Sequence, residues 1–328
     1  MRKFSPLACV FVFLFFLPSC FVSPPAEESS FLAMDTLVSL SAEGRDAKET
    51  LSRIEDRIKL IDGAILSAHR PDSEISRLNS SGSAPLSPEL YGWLETSLEI
   101  QKKSSGAFDI SLGKIKLLWE DAGKNQSLPL PKAFESLISG GLQLSDGKIS
   151  GLDNRLLDLG AVGKGIACDE AGKILQNSRC ARAVVSVGGS ILLYGGGNFK
   201  VGIRHPEKGA QEIIGVLETY GAFVSTSGSY ERGVEIGGAW YPHIFDPKTG
   251  YPPENGLVSV TVRAGSGLVS DALSTACFVL GAEGSAPLLK FYGAQAIFIN
   301  DKKEIYTSEE LAPYFALEDN AYSVFILK

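Results

Sequence analysis

Residues 258–281 read Val258-Ser-Val-Thr-Val-Arg-Ala-Gly-Ser-Gly-Leu-Val-Ser-Asp-Ala-Leu-Ser-Thr-Ala-Cys-Phe-Val-Leu-Gly281, and their period changes partway along. Val258, Val260 and Val262 alternate with Ser259, Thr261 and Arg263, which predicts a strand with one buried face. Ser270 can then cap a helix that runs to Leu280 and stops at Gly281. Leu273, Ala276, Cys277 and Leu280 form the packing face of that helix. Asp271 and Thr275 stand four residues apart, so they share another face, with Cβ atoms roughly 5–6 Å apart.

The same reading carries outward along the chain. Leu51, Ile54, Ile58 and Ile61 predict an amphipathic helix over residues 46–61. Ser87-Pro88 is a cap followed by proline at the first helical position, and Leu90, Leu94 and Leu98 carry that helix to Ser105-Gly106. Gly163 to Asn177 predicts a further helix. Val184 to Val187 is a short apolar strand that breaks at Gly188-Gly189 and resumes over Ile191 to Tyr194. No internal repeat and no regular βαβ alternation organise these elements, so the class is α+β. Glycine turns between strands let a ligand approach the backbone closely.

The N-terminus carries Arg2 and Lys3, then the apolar run Leu7–Leu17. That run suits a signal-peptide core and falls short of the roughly 18–20 residues that span a bilayer. It ends in Leu17-Pro18-Ser19-Cys20, similar to a bacterial lipobox in which the cysteine is lipidated. The expected organisation is a signal peptide over residues 1–19, a tether over 20–33 and a folded domain over 34–328. Residues 21–30 are mostly small, proline and acidic, a composition unable to bury a core. No run past Cys20 reads as long and apolar enough for a second span.

Net charge is −7 with no basic cluster, so nucleic acid is not an expected partner. Cys168, Cys180 and Cys277 form no C-x-x-C pair and read as buried small apolar residues. His69, His205 and His243 are the only histidines, too few for a multi-histidine zinc site.

Four constellations carry chemistry. Asp271 and Thr275 offer hard oxygens on one helix face, and Mg²⁺ takes one or two carboxylates together with substrate phosphates. Spacing alone better fits an aspartate in a first helical turn, where the dipole favours it. Asp158-Leu-Gly-Ala-Val-Gly-Lys-Gly165 is a glycine-rich turn into a helix, able to cradle phosphate with Lys164 adding charge, or simply to pack closely. It is neither a Walker A loop nor a dinucleotide fingerprint. His243-Ile-Phe-Asp246-Pro-Lys-Thr-Gly250 sets a histidine beside a tight turn, where it can accept a proton, bind phosphate or serve structure. Ser225-Thr-Ser-Gly-Ser-Tyr-Glu-Arg232 places hydroxyls beside a Glu-Arg pair.

In order along the chain these pieces resemble the ApbE-type FAD:protein FMN transferases. Met34-Asp-Thr36, Ser73-Glu-Ile-Ser-Arg-Leu-Asn79, Gly106-Ala-Phe-Asp109 and Val187-Gly-Gly189 join the motifs above, and the likeness covers about residues 31–300. Asp35 stands where such proteins usually have glycine, and Ala161 where glycine is also common. The resemblance implies mixed or antiparallel sheets flanked by helices, in a two-lobed domain with FAD in a central cleft. It implies Mg²⁺ held by Asp271, Thr275 and the backbone carbonyl of Ala161. The flavin nucleotide would be held by Met34, Asp35, Asp109, Lys164, Ser227, Glu231 and His243. His243 would handle the proton, with Asp271 and Lys164 completing the catalytic set. The implied reaction moves FMN from FAD to a threonine hydroxyl of exported redox proteins and releases AMP. The alternatives are an FAD pyrophosphatase giving FMN and AMP, and a non-catalytic FAD-binding lipoprotein. A solute-binding lipoprotein would need neither the Asp271/Thr275 pair nor Lys164. With Cys20 lipidated, the protein would hang from the bacterial inner membrane and face the periplasm.

Overall fold

The computed structural model describes residues 26–138, 141–209 and 212–327. The signal peptide and Cys20 lie outside the described residues. The chain opens on a hairpin, β1 (Glu27–Ala33) and β2 (Thr36–Gly44). A mostly helical stretch follows: α1 (Ala47–Leu60), which passes into a wider π turn over Ile61–Leu66, then α2 (Glu74–Ser81), α3 (Pro88–Lys103), α4 (Gly113–Asn125) and the short α5 (Glu135–Ile138). A small hairpin, β3 (Gln143–Ser145) and β4 (Lys148–Ser150), leads to α6 (Gly163–Gln176). Next come β5 (Cys180–Val187), β6 (Ser190–Gly195), β7 (Phe199–Arg204), β8 (Ile213–Thr219), β9 (Ala222–Gly228), β10 (Gly233–Ile236) and β11 (Ala239–Pro242). The chain ends with β12 (Leu257–Ala264), α7 (Gly267–Tyr292), β13 (Gln295–Asn300), β14 (Glu304–Thr307), β15 (Phe315–Leu317) and β16 (Ser323–Ile326).

Nine strands form the main sheet in the order β1-β2-β5-β6-β9-β12-β13-β14-β16. Neighbours are antiparallel except β14 and β16, which pair in parallel, so the sheet is mixed and the α+β expectation holds. α1, α6 and α7 cover one face. The small sheet β15-β8-β7 covers the other face, where Phe199, Val201, Ile203, Ile214 and Leu217 pack on Leu193, Val224, Ile297 and Ile299. While α2 and α3 pack into the core under α7, a separate core cluster is built from α4, α5 and the β10–β11 hairpin. At its centre Trp119 stacks on Phe245 at 5.9 Å between ring centroids and donates its indole N–H to the Gly250 carbonyl at 2.8 Å.

The helices form where the sequence puts their signals. The Ser87 hydroxyl accepts the Leu90 N–H, Pro88 opens α3, and Leu90, Trp93, Leu94, Ser97 and Ile100 are buried along one stripe. α1 buries Leu51, Ile54 and Ile58. Cys168, Cys180 and Cys277 are free and buried.

Five local readings change. From Glu27 the stretch read as tether is an edge strand, paired residue by residue with β2 through Glu27↔Ala42 to Ala33↔Thr36. Backbone pairing needs no apolar composition, so the residues alone did not disclose it. The last helix is capped by Ser266 rather than Ser270, while Ser270 is buried with its hydroxyl 2.8 Å from that of Ser225. Gly281 does interrupt the helix, at φ 76°, but a second helical segment continues from it to Tyr292. β12 is covered on both faces, because the small sheet buries its polar side, where Thr261 and Thr226 hydroxyls meet at 2.8 Å. Finally, Gly267–Tyr292 is long and apolar enough by composition to cross a membrane, contrary to the sequence reading, yet half of its most apolar window is buried inside the protein.

Candidate functional site

The site begins where α6 crosses α7. Gly165 and Gly267 meet backbone to backbone: a Cβ on Gly165 would overlap the Gly267 carbonyl and crowd Asp271, and one on Gly267 would overlap the Gly165 carbonyl. Asp169, one turn into α6, fastens the start of α7 by accepting the N–H groups of Gly267 and Leu268 at 2.7 and 2.8 Å. This crossing drives Asp271 into the first turn of α6. Asp271 is 2% exposed. Its Oδ2 accepts the Gly165 N–H at 2.9 Å, and its Oδ1 lies 3.4 Å from Lys164 Nζ.

That contact caps the helix start. Gly165 lies in the first turn of α6, where N–H groups have no acceptor within the helix. Its N–H is satisfied by the Asp271 carboxylate. Among the described residues nothing donates to the Ala161 carbonyl, and the Lys164 N–H has no acceptor. A helix N-terminus with free N–H groups and a lysine attracts phosphate. One turn along α7, Thr275 Oγ1 lies 3.3 Å from Ser227 Oγ of β9, and Ser227 also meets the Ser274 hydroxyl at 2.7 Å. A buried carboxylate and a hydroxyl four residues on offer hard oxygens on one face of α7. No group of three or more His, Cys, Asp or Glu side chains able to hold a metal occurs among the described residues. A metal here would therefore need substrate oxygens as well, which suits Mg²⁺.

Charged groups line the space above. Asp158 Oδ1 accepts the Gly160 N–H at 2.8 Å, and its Oδ2 pairs with Lys116 at 2.8 Å. Burial pushes the Asp158 carboxyl up, but the Lys116 ammonium outweighs it and holds the group below its usual value. Glu231 is raised, by burial first, with Lys164, Arg204 and Arg232 opposing and Asp271 adding to the rise. Arg204 lies with its guanidinium 5.0 Å from the Tyr230 ring centre.

His243 donates Nδ1–H to the Arg232 carbonyl at 3.0 Å, which leaves Nε2 as the free base. Its pKa is lowered by the protein packed around it. The Arg232 hydrogen bond opposes that shift, and Lys164, Arg232 and Lys116 deepen it. His243 and Glu231 stay open to solvent although protein surrounds them on most sides, the situation of groups lining a cleft.

The structure thus brings together Lys164 and Asp271 by direct contact and Thr275 and Ser227 one turn along α7, with Glu231 and His243 within electrostatic reach of Lys164. Met34 and Asp35 form the turn of the β1–β2 hairpin at the rim. Asp62 Oδ2 accepts the Met34 N–H at 3.1 Å, and Arg232 Nη2 donates to the Asp35 carbonyl at 2.8 Å. Asp109 stands apart: its Oδ1 accepts the N–H and hydroxyl of Ser111, both at 2.7 Å, and it contacts none of the other site residues among the described contacts. Reading the sequence missed Lys116, Asp169 and Arg232, whose partners lie far along the chain. For Asp169, a charge on the otherwise apolar face of α6 was the available signal.

An α+β domain that sets a lysine at one helix start against a buried carboxylate at another defines the class of site. The chain belongs to the ApbE family, whose family model matches residues 34–298. It is 35% identical to an FAD:protein FMN transferase of Treponema pallidum over 294 residues, 80% of this chain and 81% of that protein. It is 31% identical to one of Salmonella typhimurium over 305 residues, 86% of each. The crystal structure of an ApbE protein from Thermotoga maritima superposes with a TM-score of 0.78 at 26% identity, covering 88% of this chain and 99% of that one. The flavin transferase ApbE of Vibrio cholerae superposes with a TM-score of 0.73 at 25% identity, covering 88% and 100%.

Proposed function

We propose that this protein is an FAD:protein FMN transferase that uses Mg²⁺ and a threonine hydroxyl as acceptor. One observation carries the metal assignment. Asp271, buried against the first turn of α6, shares one face of α7 with Thr275, and among the described residues nothing donates to the Ala161 carbonyl that precedes that turn. Mg²⁺ held there would neutralise charge on the pyrophosphate. The free N–H of Lys164 and its ammonium hold the phosphates of FAD and fix the FMN-side phosphorus in the cleft. The acceptor hydroxyl oxygen attacks that phosphorus and passes its proton to His243 Nε2. A new P–O bond forms, the bond to the AMP oxygen breaks, and AMP leaves with the electron pair. Lys164 offsets the charge that builds on the oxygens. The family of relatives supports this reading.

The test is incubation of the protein with FAD, Mg²⁺ and a threonine-bearing acceptor, followed by mass spectrometry. The expected result is a flavin-labelled acceptor and one AMP per label. AMP released with no label would replace the transferase with a pyrophosphatase. Asp271→Ala should lose Mg²⁺-dependent turnover by about 100-fold or more; unchanged turnover would remove Asp271 from the metal site.

The lipobox-like Leu17–Cys20, directly after an apolar run, supports a lipid-anchored protein outside the inner membrane. Cys20→Ser should then shift the protein from the membrane fraction to the soluble one, and retention on the membrane would refute the anchor.

A further inference from the structure

The glycine turn that opens α6 is held by a chain of contacts that begins on α4. The stretch leading into the turn is zipped to the start of α4. Gly113 N–H donates to the Leu156 carbonyl at 3.0 Å, and Asp158 N–H donates to the Ile110 carbonyl at 2.8 Å. A Cβ on Gly113 would meet the Leu156 carbonyl at 2.9 Å, so the two segments lie in close contact. α4 buries Ile115, Trp119 and Ala122. Lys116, one turn into that helix, is left beside Asp158, with its ammonium 2.8 Å from Asp158 Oδ2.

The chain continues into the site. Asp158 Oδ1 accepts the Gly160 N–H at 2.8 Å, and a Cβ on Gly160 would crowd that same oxygen at 2.9 Å. The Gly160 carbonyl in turn accepts the Lys164 ammonium at 3.3 Å, which also lies 3.4 Å from Asp271 Oδ1. Gly160 is thus gripped at both its N–H and its carbonyl, and Lys164 is held between two acceptors. Lys116 supplies the charge that keeps the far end of this chain in order. Burial alone would push the Asp158 carboxyl toward its neutral form, a weaker acceptor for the Gly160 N–H. The Lys116 side chain is 44% exposed, and a pair so open to solvent adds little to global stability. Its effect falls on the turn.

We propose that Lys116 is a positioning residue for FAD: through Asp158 and Gly160 it fixes the turn that aims the Lys164 ammonium at the phosphates. This role rests on the transferase reading above. A double-mutant cycle tests whether Lys116 acts through Lys164. The cycle compares the unaltered protein, Lys116→Met, Lys164→Met and the variant carrying both. Methionine keeps an unbranched stem and removes the charge. Lys116→Gln is run alongside, so that an apolar side chain at an exposed site does not decide the result. Lys116→Arg restores the charge. FAD binding is read from flavin fluorescence on rapid mixing with Mg²⁺ and no acceptor, before AMP is released.

Lys116→Met and Lys116→Gln should each weaken FAD binding about five-fold or more when Lys164 is present, and by less than about two-fold when Lys164 is already methionine. Lys116→Arg should bind FAD within about two-fold of the unaltered protein. Unchanged affinity in the uncharged variants overturns the proposal. So does an equal loss in both backgrounds, which would put Lys116 on the ligand itself. So does an arginine variant as weak as the uncharged ones, which would make the residue one of shape and not of charge. If the unaltered protein binds no FAD, the transferase reading fails and the positioning role falls with it. If it binds FAD and Lys116→Met binds it equally well, only the positioning role fails.

Discussion

His243 is set up as a base by three neighbours. The Arg232 carbonyl takes its Nδ1 proton, and burial with the nearby Lys164 and Arg232 charges lowers its pKa from the ordinary 6.5. The sign follows directly: the neutral base persists at pH 7 and becomes protonated only below the usual imidazole range. The acid limb of the transfer rate should therefore lie below pH 6.5. His243→Gln should abolish that limb and lower kcat by roughly 10²–10⁴-fold. A limb at or above the ordinary histidine value would exclude His243 as the base. Asp35 is explained at the same scale. Met34 and Asp35 have φ values of 53° and 56°, and a two-residue hairpin turn with both central residues left-handed favours Gly, Asn and Asp. The aspartate supplies the backbone shape a glycine would, and its carbonyl is what Arg232 reads.

The crossing of α6 and α7 is the element on which the site depends. Gly165→Ala would push a methyl group into the Gly267 carbonyl and toward Asp271. Neither obstacle is the end of a flexible side chain, so the helices must part. The expected cost is about 2–3 kcal/mol, read by chemical denaturation, together with a loss of Mg²⁺-dependent AMP release. Full stability with full turnover would show that the close approach is dispensable. Both helices were legible in the sequence, as were the glycine-rich turn and the Asp271/Thr275 pair four residues apart. The contact that makes them one site was not. Asp271 and Gly165 are separated by 106 residues, and no local pattern announces that a distant carboxylate will cap the first turn of α6. Lys116 and Asp158 were hidden in the same way. β1 was missed for another reason: Glu27, Glu28, Ser29 and Ser30 are poor strand formers by composition, and backbone pairing with β2 alone orders them.

Across the whole molecule, the C-terminal part is held by a polar clip remote from the cleft. Asp319 Oδ2 accepts the Lys208 ammonium at 2.7 Å and His205 Nε2 at 3.1 Å, while Glu207 N–H bonds to His205 Nδ1 at 3.1 Å. The Lys208 bond, the Ala321 N–H and His205 hold the Asp319 carboxyl well below its usual 3.8. A lowered carboxylate contributes stability above its ordinary pKa and loses it as pH falls through the folded value. Asp319→Asn should thus lower Tm at pH 7, and the gap should close as the pH drops below the ordinary carboxylate range. A gap that does not change with pH would rule out the ion pair as its source. The clip keeps β16 in place at one border of the nine-stranded sheet, with β1 at the other. Eight inter-strand steps of about 4.8 Å put those borders about 38 Å apart along the sheet. The sheet is a built-in ruler: a fluorophore carried on β16 is clear of the hairpin at the cleft, yet within energy-transfer range of a dye on an arriving acceptor.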